Sequence, residues 1–162
     1  MIIDALLQFS GSITGNTVTG QALTSGTITS TNVIDLAGVG TGNTARDLGQ
    51  GEDLEIQIEI TTTFTGGTSV QPILVCADDT GISTNVTQIA VGPAIALAQL
   101  VAGNQQVMHV THAAMAQAAR RYLAIQYVIV GTMTAGAVVA AIVRNVQDKG
   151  NNTLFNSGFA IS

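Results

Sequence analysis

Two histidines and a scatter of carboxylates are the groups in this chain that could do acid–base or metal chemistry. His109 and His112 are its only histidines. Three residues apart on a strand they would point to opposite faces, although at a strand-to-helix junction they could converge. Two imidazoles without a third ligand nearby fall short of a zinc site, and neither CxxC nor HExxH occurs. The acidic group Asp47, Glu52, Asp53 and Glu55 lacks the spacing of a calcium loop, and Asp78-Asp79-Thr80-Gly81 reads as a turn. Sequence order does not define a Ser-His-Asp constellation, but no GxSxG elbow is present to carry the serine. Gly40-Thr41-Gly42-Asn43-Thr44-Ala45 fits the dinucleotide fingerprint GxGxxA. That mechanism needs a helix starting at the motif within a βαβ unit, whereas Gly49 and Gly51 favour a loop. Cys76 is the single cysteine, forms no internal disulfide, and is expected to be a small buried hydrophobe. Asn85-Val86-Thr87 and Asn151-Asn152-Thr153 fit the glycosylation sequon, which carries little weight without a secretory signal. The expectation is no catalytic residue, no metal site and no cofactor, with the histidines on an ordinary surface or interface.

The elements that would position these groups are strands. Residues 54–61 alternate strictly: Leu54, Ile56, Ile58 and Ile60 share one face, and Glu55, Gln57, Glu59 and Thr61 the other. The first face is expected in a core and the second in water. Thr65-Gly66-Gly67-Thr68 then reads as the turn of a hairpin joining strands 53–64 and 69–79. Pro72 marks an edge or a bulge in the return strand. A second hairpin is expected from 120–130 and 135–146 around Gly131-Thr132-Met133-Thr134. Residues 31–36, 86–91, 95–101 and 105–110 are short strand candidates, and 112–119 are Ala-rich enough for two helical turns. Ser10 to Ser30 is almost wholly Ser, Thr, Gly, Asn and Gln, and reads as extended and weakly structured, ordering against something else. The whole gives roughly seven to nine short strands with turn signals about every ten residues, the pattern of an all-β sandwich. Residues 1–30 form an arm and low-complexity segment, and 31–162 the sandwich domain.

Composition bounds the partners. At 162 residues the chain suits one domain that buries ~70% of its unfolded surface. Charged residues are 9% of it, against roughly 25% in an ordinary globular protein. With a mean hydropathy of +0.43, a surface so poor in charge points to extensive cover by partners. The net charge is −5, and the basic residues are Arg46, Arg120, Arg121, Arg144 and Lys149. Binding to nucleic acid needs clustered Lys and Arg, so it is not expected. Met1-Ile2-Ile3-Asp4 places no basic residue before its apolar stretch, which argues against a secretory signal. Residues 122–143 contain no charge and lie between Arg121 and Arg144, a membrane-like run by hydropathy. Gln126, Gly131, Thr132, Thr134 and Gly136 break it, and its β-branched valines favour buried strands, so no membrane partner is expected.

Several stretches together resemble the small cement proteins of tailed-phage capsids, the family typified by the Bordetella phage capsid cement protein. They are Met1-Ile2-Ile3-Asp4-Ala5 with Phe9-Ser10, Ser30-Thr31-Asn32 with Ile34-Asp35-Leu36, Ala45-Arg46-Asp47-Leu48-Gly49, and residues 61–70 through the Gly-Gly pair. Asp78-Asp79, Ala94-Ile95-Ala96-Leu97, Leu100-Val101-Ala102-Gly103 and Arg121-Tyr122-Leu123 continue the series in order. Tyr127-Val128, Val146-Gln147-Asp148 and Ser157-Gly158-Phe159 complete it. The resemblance implies a jelly-roll-like antiparallel β-sandwich with an extended N-terminal arm. It also implies a homodimer or homotrimer on the outside of the head, holding neighbouring major capsid subunits together.

Ile2, Ile3, Leu6, Leu7 and Phe9, and at the other end Leu154, Phe155 and Phe159, are too apolar for free ends. At least one of these ends is expected to pack on a neighbouring chain. Arg46 and Arg120 or Arg121 would pair with acidic groups across an interface, or locally with Asp47, Glu52 or Asp148. The alternative is a receptor- or glycan-binding β-sandwich of a tail or spike. The absence of Trp, with two Tyr and four Phe, leaves few rings for sugars to stack on. A small β-sandwich enzyme ranks third.

Overall fold

A computed structural model describes residues 5–15, 17–36, 48, 52–116 and 120–143. Its strands are β1 (Gln8–Ser10), β2 (Ser12–Thr14), β3 (Thr17–Thr19), β4 (Gln21–Ala22), β5 (Ser25–Thr29) and β6 (Ile34–Asp35). They continue with β7 (Leu54–Gly66), β8 (Ser69–Ala77), β9 (Thr87–Val91), β10 (Ile95–Ala96), β11 (Gln105–Val110) and β12 (Tyr122–Val143). One helical turn, α1 (His112–Met115), follows β11, with the Thr111 hydroxyl accepting from the Ala114 N–H as its cap. The fold is all-β, antiparallel and sandwich-like, its sheet nearly closed on itself.

Everything is arranged around β12. The charge-free run Tyr122–Val143 is one strand of 22 residues, where two strands of a hairpin were expected. Nor do β7 and β8 pair with each other. Both lie along β12, and the register runs on from one to the other: Glu55 faces Val143, Gly66 faces Met133, Ser69 faces Val130 and Ala77 faces Tyr122. Leu54–Gly66 and Ser69–Ala77 are therefore two segments of one long partner strand. The two glycine-bearing stretches read as hairpin turns are the two sides of a single bend in this ribbon. Gly66, Gly67 and Gly131 have φ of +75°, +62° and +85°, and a Cβ on Gly131 would lie 2.8 Å from the Gly67 Cα. Only glycine permits that backbone and that approach.

The bend divides the ribbon into two sheets. In one, β11, β7 and the second half of β12 lie side by side, and β1 and β4 occupy the far edge of β12. In the other, β9 and β10 flank β8, and β5 and β6 take the far edge of the first half of β12. Pro72 sits in the gap between β9 and β10. Its carbonyl accepts from the Gly92 N–H at 2.8 Å, so its missing donor falls where β8 has no strand neighbour.

The Ser/Thr/Gly-rich stretch is not weakly structured: β1, β4 and β5 hydrogen-bond to β12. Its regularity is invisible to side-chain periodicity because the strands are short and mostly polar outward. Ile56, Ile58 and Ile60 enter the core as expected, with Phe9, Leu74, Cys76, Leu123, Ile125 and Tyr127. Across this core the Tyr127 hydroxyl meets the Ser10 Oγ at 2.7 Å, and burial pushes the phenol well above its ordinary titration range. The polar face of β7 departs from expectation at Gln57, which is 4% exposed. It stands level with Ala141 of β12 and Val107 of β11, shielded on both sides as a residue of an interior strand.

Candidate functional site

The histidines do not converge. The Asp53 carboxylate accepts the His112 main-chain N–H at 2.9 Å and lies 3.2 Å from its Nδ1. That main-chain bond, followed by the ring contact, holds the Asp53 carboxyl below the usual range. His109 faces Glu55 across the β11–β7 pairing, with Nδ1 at 3.7 Å. Both are solvent-exposed pairs at a sheet edge, and among the described residues no three His, Cys, Asp or Glu side chains come together to hold a metal. The glycine motif 40–45 lies outside the described residues.

The turn at Asp78-Asp79 is a built structure. Asp79 accepts the Thr84 N–H at 2.7 Å, the Ser83 N–H at 3.0 Å and the Ser83 hydroxyl at 2.9 Å. Asp78 accepts from the Arg120 guanidinium and from the Asn85 amide. Together they seat Ile82, at φ +52°, on an apolar patch of Ile73, Val75, Ala77 and Ala124 on the outer face of β8 and β12. The Thr84 and Ser83 donors lower the Asp79 pKa from 3.8. A carboxyl depressed in the fold contributes fully above its unfolded value and loses that contribution as pH falls through the folded one. Amide exchange at Ser83 and Thr84, measured against the intrinsic rate at each pH, is therefore expected to accelerate below pH 3.8. It should be fast at neutral pH in Asp79→Ala, and unchanged exchange in that variant would contradict the latch.

Both described arginines are engaged within the chain, with carboxylates other than those anticipated. Arg120 pairs with Asp78 at 3.1 Å. Arg121 grips Asp35 with two bonds of 2.8 and 2.7 Å, its guanidinium 5.0 Å from the centre of the Tyr122 ring. At the N-terminal end, Phe9 is wholly buried in this chain's own core, a correction to its expected place against a neighbour. Leu7 packs on the same core, and Leu6 is 65% exposed. Ile2, Ile3, Arg46, Leu154, Phe155 and Phe159 lie outside the described residues.

The apolar surface that sequence reasoning missed is on the strands. Val91 of β9 and Val130 of β12 are 56% and 52% exposed, and Val86 and Val101, in the connections beside the strands, are also open. Val91 faces Ile73 across β9–β8, and Val130 faces Ser69 across β8–β12, on the outer side of the second sheet. Strand parity was the available signal. Leu123, Ile125, Tyr127 and Ile129 face the core, so Val128 and Val130 face outward, but an unbroken apolar run hides this. These neutral side chains can exclude water against another protein, and they offer no nucleophile or acid–base pair.

The model of one protein family, Bbp16, matches residues 17–142. The chain belongs to the Bbp16 family. The name is that of a Bordetella phage family. In this Bbp16 chain the matched segment starts at the first residue of β3 and ends one residue before the close of β12. It thus takes in the bent ribbon as far as Ile142, with the exposed valines, and leaves out β1 and Phe9. No curated protein matches the chain.

Proposed function

We propose that this Bbp16 chain is a structural virion protein that decorates the outside of a phage head and cements neighbouring major capsid subunits. In that role it stabilises the shell against the pressure of packaged DNA. The observation that carries the reading is the family match across residues 17–142. Supporting it are the charge content of 9% and the exposed valines of the outer strands. Its partners are the major capsid protein and copies of itself, as a homodimer or homotrimer. After synthesis in the host cytoplasm its place is the outer surface of the virion. It acts without catalysis or a cofactor, and engages neither nucleic acid nor membrane. The working force is burial of apolar area at repeated contacts, roughly 25 cal/mol per Å² before the costs of association. Repetition on a lattice turns modest contacts into firm attachment.

The test is the copy number in purified virions relative to the major capsid protein. A ratio near one, or another simple fraction set by the lattice, is the expected result. A handful of copies would move the protein to the tail or a vertex, and absence from the particle would overturn the reading.

A further inference from the structure

The β2–β3 hairpin stands apart from the rest of the sheet. Ser12 pairs with Thr19, Ile13 with Val18 and Thr14 with Thr17, and no other described strand pairs with either edge. The chain leaves β12 after β1, makes this hairpin, and returns to β12 at β4. The hairpin's foot is firmly held. The Gly11 N–H donates to the Thr31 hydroxyl at 3.1 Å, and the Gly11 carbonyl accepts from the Asn32 amide at 3.2 Å. Gly11 and Gly20 lie side by side, with Val139 against the first and Ala137 and Thr61 against the second. Beyond that foot, Thr17, Val18 and Thr19 are all exposed, Val18 by 53%.

A firmly rooted ribbon whose two edges are unpaired among the described residues is a template for strand pairing, which proteins ordinarily guard with Lys, Pro or a bulge. None is present: from Ala5 to Ile34 there is neither a charged residue nor a proline. Two residues separate Thr14 from Thr17, and the pair closing such a loop is the hydrogen-bonded one, so the Val18 N–H and C=O point outward.

We infer that the β2–β3 ribbon is a strand-addition site whose occupant is an uncharged, extended edge segment of the shell subunit beneath the protein. This rests on the cement reading and names the contact within it. Three residues per edge allow two or three main-chain bonds, too few to hold a second copy in free solution. The same short ladder suffices next to a partner already engaged elsewhere, where pairing is intramolecular.

The experiment compares the full chain with a variant in which Ser12–Thr19 is replaced by two glycines bridging Gly11 and Gly20, and with Val18→Pro. Each is bound to heads prepared without the protein. Amide exchange is measured free and head-bound. The expected result is that the Val18 amide, the one of β3 that points outward, exchanges quickly in the free protein and becomes protected on the head. Both variants should melt with the full chain yet bind heads at least tenfold more weakly. Equal binding, or no gain in protection while the full chain binds, overturns the inference and leaves the cement role standing. Failure of the full chain to bind overturns both. A solution oligomer lost with the hairpin would make a second copy the occupant and would also overturn it.

Discussion

Gly136→Ala is expected to lower the stability of the free protein by about 3–5 kcal/mol, combining backbone strain with overpacking. Gly136 has φ +137°, a backbone that L side chains rarely adopt, and an added Cβ would collide with Cγ, Cδ1 and Cε1 of the Phe64 ring. Phe64 cannot swing clear, because it is itself buried in the core. Glycine here lets an aromatic ring lie flat against the backbone of β12 just after the bend. Gly26→Ala is the control. Its φ is +68° but nothing lies within 4 Å of the added carbon, so only the conformational cost of about 1 kcal/mol remains. Urea midpoints for the two variants separate the contributions. Equal losses would mean that the Phe64 contact is not what requires glycine.

Phe9→Ala is expected to cost about 3–5 kcal/mol, the usual range for removing a buried phenylalanine. The loss should be independent of protein concentration. Phe9 is fully buried, and its carbonyl accepts the Asn32 N–H at 2.8 Å, which ties β1 to the chain leading into β6. A residue anchoring an arm on a neighbour would behave differently, leaving the melting point of the separated subunit intact and weakening the oligomer. Leu6→Ala supplies the contrast. At 65% exposure it should change stability by no more than about 0.5 kcal/mol.

Much of the architecture could be read from single residues. The alternation of Leu54 to Thr61 placed Ile56, Ile58 and Ile60 in the core correctly, because side-chain parity is a local property of a strand. Cys76 is buried as its type leads one to expect, and residues 105–110 form the strand expected there. Connectivity was not legible. A Gly-Gly pair reverses a chain in a hairpin and bends it in a long ribbon with the same φ > 0 chemistry. Which of the two occurs depends on a partner more than forty residues away, as with Ala77 and Tyr122. The polar N-terminal strands were missed because main-chain bonds to β12 leave little trace in side-chain hydrophobicity. Arg120 and Arg121 were recognised as ion-pair formers, yet their partners Asp78 and Asp35 become neighbours only after β12 is laid between β8 and β6. The exposed valines were hidden by their resemblance to core residues.

The position of β12 in the sequence sets the order in which the molecule can be made. β1, β4 and β5 come early in the chain, but the edges they occupy belong to residues 126–141. Until the ribosome has released that stretch, β1, β4 and β5 lack the strand they pair with. The ladder itself closes most readily from Ala77 and Tyr122, the members nearest in sequence, and zips through the bend towards Glu55 and Val143. A segment that must wait so long benefits from a composition of Ser, Thr and Gly, which gives premature association little apolar surface to work with. The low complexity of residues 10–30 is thus suited to the interval before folding as much as to the folded state.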